Sequence, residues 1–178
     1  MRIVAGKYRH RLIEYPNDIS IRPTKDRIRE ALFSALGDIT NLEVLDLYAG
    51  SGAMGIEAIS RGAHRCTFVD YYPVAIKTVK ANLTNLDISN YELIFDKDFN
   101  ALAKLKEENK KFDLIILDPP YKSETYIEVI NYLLTNNLCN SHARIVTECN
   151  HELDFNGVTY EKKKEYRYGE IIVNVLYL

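Results

Sequence analysis

Val44-Leu45-Asp46-Leu47-Tyr48-Ala49-Gly50-Ser51-Gly52-Ala53-Met54-Gly55 decides the fold. Val44 to Tyr48 reads as a buried strand. Gly50 to Gly55 matches GxGxxG, and a short helix ending at Gly62 follows. Glycines in that arrangement permit a tight turn, and the helix behind them offers unpaired N–H groups to a ligand. Asp70 closes the next strand, Cys66 to Asp70, where a carboxylate can accept hydrogen bonds from ribose hydroxyls. Strand, glycine loop, helix and acid together point to an adenosine-containing cofactor.

Downstream the strand–helix alternation continues. Pro73 opens a helix with Ala75, Val79, Leu83 and Leu86 on one face. Glu92 to Phe95 is a third strand, followed by a helix over about Phe99 to Glu108. Phe112 to Leu117 is almost continuously aliphatic, as in a sheet covered on both sides. A helix over 124–135 leads to a strand at Arg144 to Thr147. Val158 to Glu161 and Ile171 to Leu178 read as two closing strands, the latter with Ile171, Val173, Val175 and Tyr177 on one face, which predicts an antiparallel finish. Repeated βα units make this an α/β protein with a mainly parallel sheet. Upstream, residues 2–13 form short apolar and basic runs about Gly6, consistent with a small hairpin. Thr24 then caps a helix to Leu36, stopped by Gly37.

The 178 residues are 47% hydrophobic and 27% charged, which suits one globular domain and excludes a disordered chain. The longest aliphatic run, Leu114 to Leu117, is far too short to span a bilayer. No secretory leader is legible, and Cys66, Cys139 and Cys149 form no CxxC pair, so a reducing cytoplasm is expected. His10, His64, His142 and His151 lack ligand spacing, so no metal is expected. The net charge of −2 hides an asymmetry. Residues 1–30 carry eight Lys or Arg against four Asp or Glu, and the remainder 15 against 21. A basic arm (Arg2, Lys7, Arg9, Arg11, Arg22, Arg27, Arg29) on an acidic body suggests an anionic partner, the alternative being a solvated face.

Asp46 separates two cofactors that share the glycine loop. A carboxylate within the first strand can order the loop and meet a cationic amino-acid moiety, but is unhelpful beside a pyrophosphate. This favours S-adenosylmethionine (SAM) over NAD.

Asp118-Pro119-Pro120-Tyr121 follows the aliphatic strand, at the carboxyl edge where open α/β sheets bind ligands. Consecutive prolines fix an extended, rigid loop without N–H donors. The Asp118 carboxylate and Pro119 carbonyl present acceptors, and the Tyr121 ring can stack on a base. An exocyclic amine is a poor nucleophile because its lone pair is delocalised. Holding both N–H bonds turns that lone pair toward a methyl donor, and positioning of this kind is worth on the order of several kcal/mol of barrier.

The Asp46-to-Gly55 loop, Asp70, Asp98-Phe99 and Asp118 to Tyr121, in that order, resemble the class I SAM-dependent amino-methyltransferases. Arg2-Ile3-Val4-Ala5-Gly6-Lys7, Arg22-Pro23-Thr24-Lys25-Asp26-Arg27-Ile28-Arg29-Glu30 and the late Tyr168-Gly169 narrow this to a resemblance, over essentially the whole chain, to the RsmD family. The resemblance implies a Rossmann-like, seven-stranded sheet with its last strand inserted antiparallel. It implies SAM as cofactor and the N2 amine of a guanine in bacterial small-subunit (16S) rRNA as target. Gly50, Ser51, Gly52, Asp46 and Asp70 would hold the cofactor, with Asp98 and Phe99 at the adenine, and Asp118 to Tyr121 would carry the chemistry. Thr24 joins the basic residues as an RNA-binding position. Two departures stand out: Ala5-Gly6 where the family has paired glycines, and Asp70 where it has glutamate.

These readings divide the chain into a basic arm, 1–22, and a SAM-dependent domain, 23–178, expected to act as a monomer. Lys7-Tyr8-Arg9 and Tyr166-Arg167-Tyr168 interleave cations with aromatics, as suits phosphates and unstacked bases. With no separate recognition domain, selectivity is expected to depend on folded RNA or an assembling ribonucleoprotein surface. Three readings compete: adenine-N6 methylation of RNA or DNA, a nicotinamide-dependent oxidoreductase, and a non-catalytic RNA-binding assembly factor.

Overall fold

The computed structural model describes residues 1–16, 26–119 and 125–178. The elements run α1 (Asp26–Leu36), β1 (Glu43–Leu47), α2 (Ala53–Ser60), β2 (Arg65–Asp70), α3 (Pro73–Asn85), β3 (Tyr91–Phe95), α4 (Asp98–Glu107), β4 (Phe112–Leu117), α5 (Tyr126–Thr135), β5 (Cys139–Cys149), β6 (Lys162–Tyr168) and β7 (Ile171–Tyr177). Among the described residues, seven strands form one sheet in the order β3-β2-β1-β4-β5-β7-β6. β1 to β5 are mutually parallel. β7 inserts antiparallel between β5 and β6. This is the class I methyltransferase arrangement expected from the sequence.

Period-two alternation sends each strand's side chains to two cores. Val44, Leu114, Ile116, Val146, Val173 and Val175 face α1, α2 and α3. Leu45, Leu47, Ile115, Leu117, Ile145, Ile172 and Leu176 face α4 and α5. β7 is therefore buried on both sides, not on one.

Three strand assignments change, the first being β5, which runs Cys139–Cys149 where Arg144 to Thr147 is expected. β6 occupies Lys162–Tyr168 instead of 158–161. Val158 turns back on Phe155 through its N–H, and Glu161 donates to the Tyr177 carbonyl at the start of the edge ladder. Lysines on an edge strand discourage pairing with another chain, so this strand needs no apolar pattern of its own. The N-terminal hairpin is a single antiparallel bridge between Arg2 and Leu12, without strands, and Gly6 turns it at φ 80°.

That loop is built into the core. Ile3, Tyr8 and Ile13 are buried against α2, which is enclosed along its whole length. Two polar side chains on α2 make this possible. Glu57 accepts the Val4 and Ala5 N–H groups at 2.8 and 3.0 Å. The Ser60 hydroxyl accepts from Tyr8 N–H at 3.0 Å, and the Ser60 carbonyl from Lys7 N–H at 2.7 Å. Gly6 passes so close that a Cβ there would stand 1.8 Å from the Ser60 carbonyl oxygen.

Charge counting places Arg29 among the RNA-facing cations, yet its side chain is wholly buried, 3.4 Å from Glu57 and 3.1 Å from Asp26. It also donates to the Arg2 carbonyl. Arg29, Leu32, Phe33 and Leu36 share the apolar face of α1, so this guanidinium neutralises a buried glutamate and meets no solvent.

Candidate active site

The sheet order reverses between β1 and β4, which places the site in the crevice at their carboxyl ends. After β1, Tyr48 takes φ 84°, and both Tyr48 and Ala49 donate to the Val69 carbonyl of β2 at 3.0 and 2.9 Å. Gly50 at φ 56° and Gly52 at φ 78° complete the turn, and Gly52 N–H closes it on the Ala49 carbonyl at 2.7 Å. Gly55 serves packing. A Cβ there would lie 2.3 Å from the Phe68 ring and 2.6 Å from the Cys66 sulfur, so only glycine lets α2 lie on β2 at this distance.

Asp46 sits beneath the loop, 2% exposed, and accepts Gly55 N–H at 2.9 Å. Burial, with Asp70 nearby, pushes its carboxyl up to about 7. A buried carboxylate in that condition is suited to a cationic ligand group, which would restore its charge. Asp70 accepts Gly50 N–H at 2.8 Å and Tyr72 N–H at 2.9 Å, and burial raises its carboxyl above the usual range despite both bonds. One of its oxygens therefore fixes the glycine loop while the pair stays at the strand end. Beyond it, the half-exposed Tyr71 ring leans on Tyr72, centroids 4.0 Å apart.

Asp98 joins this group through a residue that sequence reading missed. The Tyr48 hydroxyl donates to Asp98 at 2.7 Å, linking the loop after β1 to the start of α4. Burial, followed by Asp98, pushes the Tyr48 phenol upward, so it stays a donor. Asp98 also accepts Phe99 N–H at 2.9 Å, and the Phe99 ring meets Tyr132 edge-on at 5.6 Å. Ser51 is buried, and its carbonyl accepts from Asn82 of α3. Asp46, Gly50 to Gly52, Asp70 and Asp98 thus form one connected arrangement. Its groups are of the kind SAM needs: a buried carboxyl that an ammonium would ionise, a second acid at a strand end, and a glycine-rich backbone turn.

Asp118 follows β4 on the face shared by Ile116 and Asp46. Burial first, then the negative fields of Glu148 and Asp46, holds its carboxyl well above the ordinary carboxylate range. Pro119 beside it is buried. Pro120 and Tyr121 lie outside the described residues, as do Arg22 and Thr24.

The basic side chains collect elsewhere. Arg2, Lys7, Arg9, Arg11 and Arg27 are exposed. Arg2, Arg9, His10 and Arg27, with Val4, Asp26 and Glu30, line a cleft of about 270 Å³. Arg2 meets Asp26 at 3.4 Å, and Arg11 donates to the Asn85 carbonyl at 3.0 Å. Tyr166 and Tyr168 pack on the α1–α3 side of the sheet. Arg167 does not interleave with them: it is paired with Glu152 and Glu165, both at 2.8 Å.

Comparison with known proteins agrees with this fold. Ribosomal RNA small subunit methyltransferase D of Buchnera aphidicola (subsp. Baizongia pistaciae) is 37% identical over 150 residues, 83% of this chain and 75% of its own length. The protein of the same name from Escherichia coli K12 is 33% identical over 149 residues, 83% and 74% of the two chains. The solved structure of the candidate methyltransferase yhhF from Escherichia coli superposes with a TM-score of 0.85 at 29% identity, covering 99% of this chain and 97% of that one. A family model described as conserved hypothetical protein 95 matches residues 1–177, and the chain belongs to that family, the RsmD family.

Proposed function

We propose that this protein methylates the exocyclic N2 amine of a guanine in small-subunit ribosomal RNA. SAM is the cofactor, and bound it supplies an electrophilic methyl group on a sulfonium. The observation that carries the reading is the position of Asp118, at the carboxyl end of β4 and on the same sheet face as Asp46. An acceptor for the amine and a holder for the methyl donor thus stand in one crevice. The names of the relatives supply the substrate class.

In this reading Asp118 and the Pro119 carbonyl accept the two N–H bonds of the amine and aim its lone pair at the methyl carbon. Bound SAM would supply the methyl carbon that the amine nitrogen takes up, with Asp46, Asp70 and the Gly50–Gly52 loop holding it. The nitrogen then sheds one proton. Asp118, made more basic by burial and by its negative neighbours, takes that proton and passes it to water. Tyr121 stacks on the base, which must leave its own stack to enter, at a cost of a few kcal/mol.

Residues 1–22 serve as the RNA-binding arm and 23–178 as the methyl-transfer domain. The arm grips the domain by Ile3, Tyr8 and Ile13 while exposing Arg2, Lys7, Arg9 and Arg11. Arg27, at the same cleft, extends that face, with Arg22 and Thr24 assigned to it by the family motif.

The test is methyl transfer from labelled SAM to naked 16S RNA and to isolated small subunits, followed by mass analysis of digested nucleosides. N2-methylguanosine is expected. N6-methyladenosine, or no transfer to either substrate, overturns the proposal.

A further inference from the structure

β4 and β5 are parallel neighbours with Leu117 paired to Thr147, so Asp118 and Glu148 come next on the two strands, side by side. Alternation from Ile116 and Val146 puts both on the sheet face that also bears Asp46. Glu148 is 4% exposed, on a strand hydrogen-bonded on both sides. From the opposite face the Tyr126 hydroxyl donates to its carbonyl at 2.6 Å, fixing the backbone from which the side chain departs. Two carboxylates thus leave adjacent strand ends on one face, where one would suffice to orient an amine.

Guanine supplies a reason for two. Its edge presents adjacent donors, the N2 amine and N1–H. Adenine presents one donor, the N6 amine, flanked by ring nitrogens that only accept. A second carboxylate therefore adds a hydrogen bond for guanine and a repulsion for adenine. We propose that Glu148 is a specificity-determining residue, accepting N1–H of the target guanine while Asp118 accepts from its N2 amine. This rests on the guanine-N2 reading above and names the group that chooses the base. A carboxylate offers about four lone-pair sites, so other bonds to Glu148 leave room for this one. Adjacent strands stand about 4.8 Å apart, a separation from which two side chains can converge on neighbouring donors of one edge.

The test uses two RNAs that differ at the target nucleotide, guanosine in one and 2-aminopurine riboside in the other. The analogue keeps the N2 amine but carries a lone pair at N1. The wild-type protein should prefer guanosine by at least about 100-fold in kcat/KM, because a site built to bond an N–H leaves its own group unpaired without one. Glu148→Gln, whose amide can donate to the N1 lone pair, should lower that preference at least about tenfold. Glu148→Asp should retain most of it. Both ratios are read again as equilibrium RNA binding with S-adenosylhomocysteine present, which keeps the comparison valid for an inactive variant. If Glu148→Gln does not fold, Glu148→Asp decides, a wild-type-like direction of preference being required. Equal losses on both RNAs, with the preference intact in Glu148→Gln, would make Glu148 structural and overturn the inference. Wild-type methylation at adenine, or at no base, would instead defeat the guanine-N2 reading, and that is known before any variant is made.

Discussion

Asn82 and Ser51 are joined at 2.9 Å: the Asn82 side-chain amide, 1% exposed on α3, donates to the carbonyl at the centre of the glycine loop. The same amide donates to the Glu14 carbonyl at 3.0 Å, and its oxygen accepts Glu14 N–H at 2.7 Å. One side chain thus ties the end of the N-terminal segment to the cofactor loop. Asn82→Ala should leave the buried Ser51 carbonyl and the part-buried Glu14 N–H and carbonyl without this partner, and cost about 1–3 kcal/mol of stability. SAM affinity should fall with it, whereas a surface change such as Lys80→Ala should alter neither. Chemical denaturation and calorimetry check the two halves.

Asp46 predicts a pH dependence. Between 3.8 and about 7 its folded carboxyl holds a proton that the unfolded chain has already released. Its contribution to stability therefore falls as pH rises through that window. Binding runs the other way, because a cationic ammonium prefers the ionised form. SAM affinity should rise as pH passes about 7 and level off above it. In Asp46→Asn the rise should vanish, and calorimetric titration between pH 5.5 and 8.5, a range chosen to bracket that value, reads it directly.

Asp118→Ala should lower the single-turnover rate by roughly 10²–10⁴-fold, the usual range for a positioned proton acceptor, with SAM affinity little changed. Wild-type rates should fall toward acid with a midpoint above the ordinary carboxylate range, following the direction in which burial and Glu148 move this group. An unchanged rate in the variant would remove Asp118 from the chemistry.

Cations near the N-terminus should separate into two kinds. Replacing Arg2, Lys7, Arg9 and Arg11 together should weaken RNA binding and flatten its log–log salt dependence by up to about 3.6, near 0.7–0.9 per lost phosphate contact. Folding and SAM binding should be nearly unaffected. Arg29→Met should do the reverse, because removing one partner of a buried ion pair costs about 3–5 kcal/mol. Salt-titrated RNA binding set beside thermal unfolding distinguishes the two.

The sheet was legible because each βα unit carries its own signal: aliphatic runs for buried strands, glycine spacing for the loop, Pro73 for the start of α3. β6 was not, since Lys162 to Tyr168 has no apolar alternation and becomes a strand only by pairing with β7. Counting charges misplaced Arg29. Its face was readable, because Arg29, Leu32, Phe33 and Leu36 recur at helical spacing, and an isolated Glu57 in the apolar run Ala53–Ser60 signals a buried counter-charge. Asn82, Tyr48 and Glu148 left no such trace. Their roles depend on partners 31, 50 and 30 positions away, brought together by topology alone.

The hydrogen bonds from residues 4–14 to Glu57, Ser60 and Asn82 span 52 to 68 positions, so this loop has no complete docking surface until α2 and α3 exist. It is synthesised before its binding site and should join the fold after it. Until then Glu57 would lack its Val4 and Ala5 donors. Pulse-labelled amide exchange on refolding protein should therefore show Val4, Ala5 and Tyr8 gaining protection later than the β1–β4 ladder.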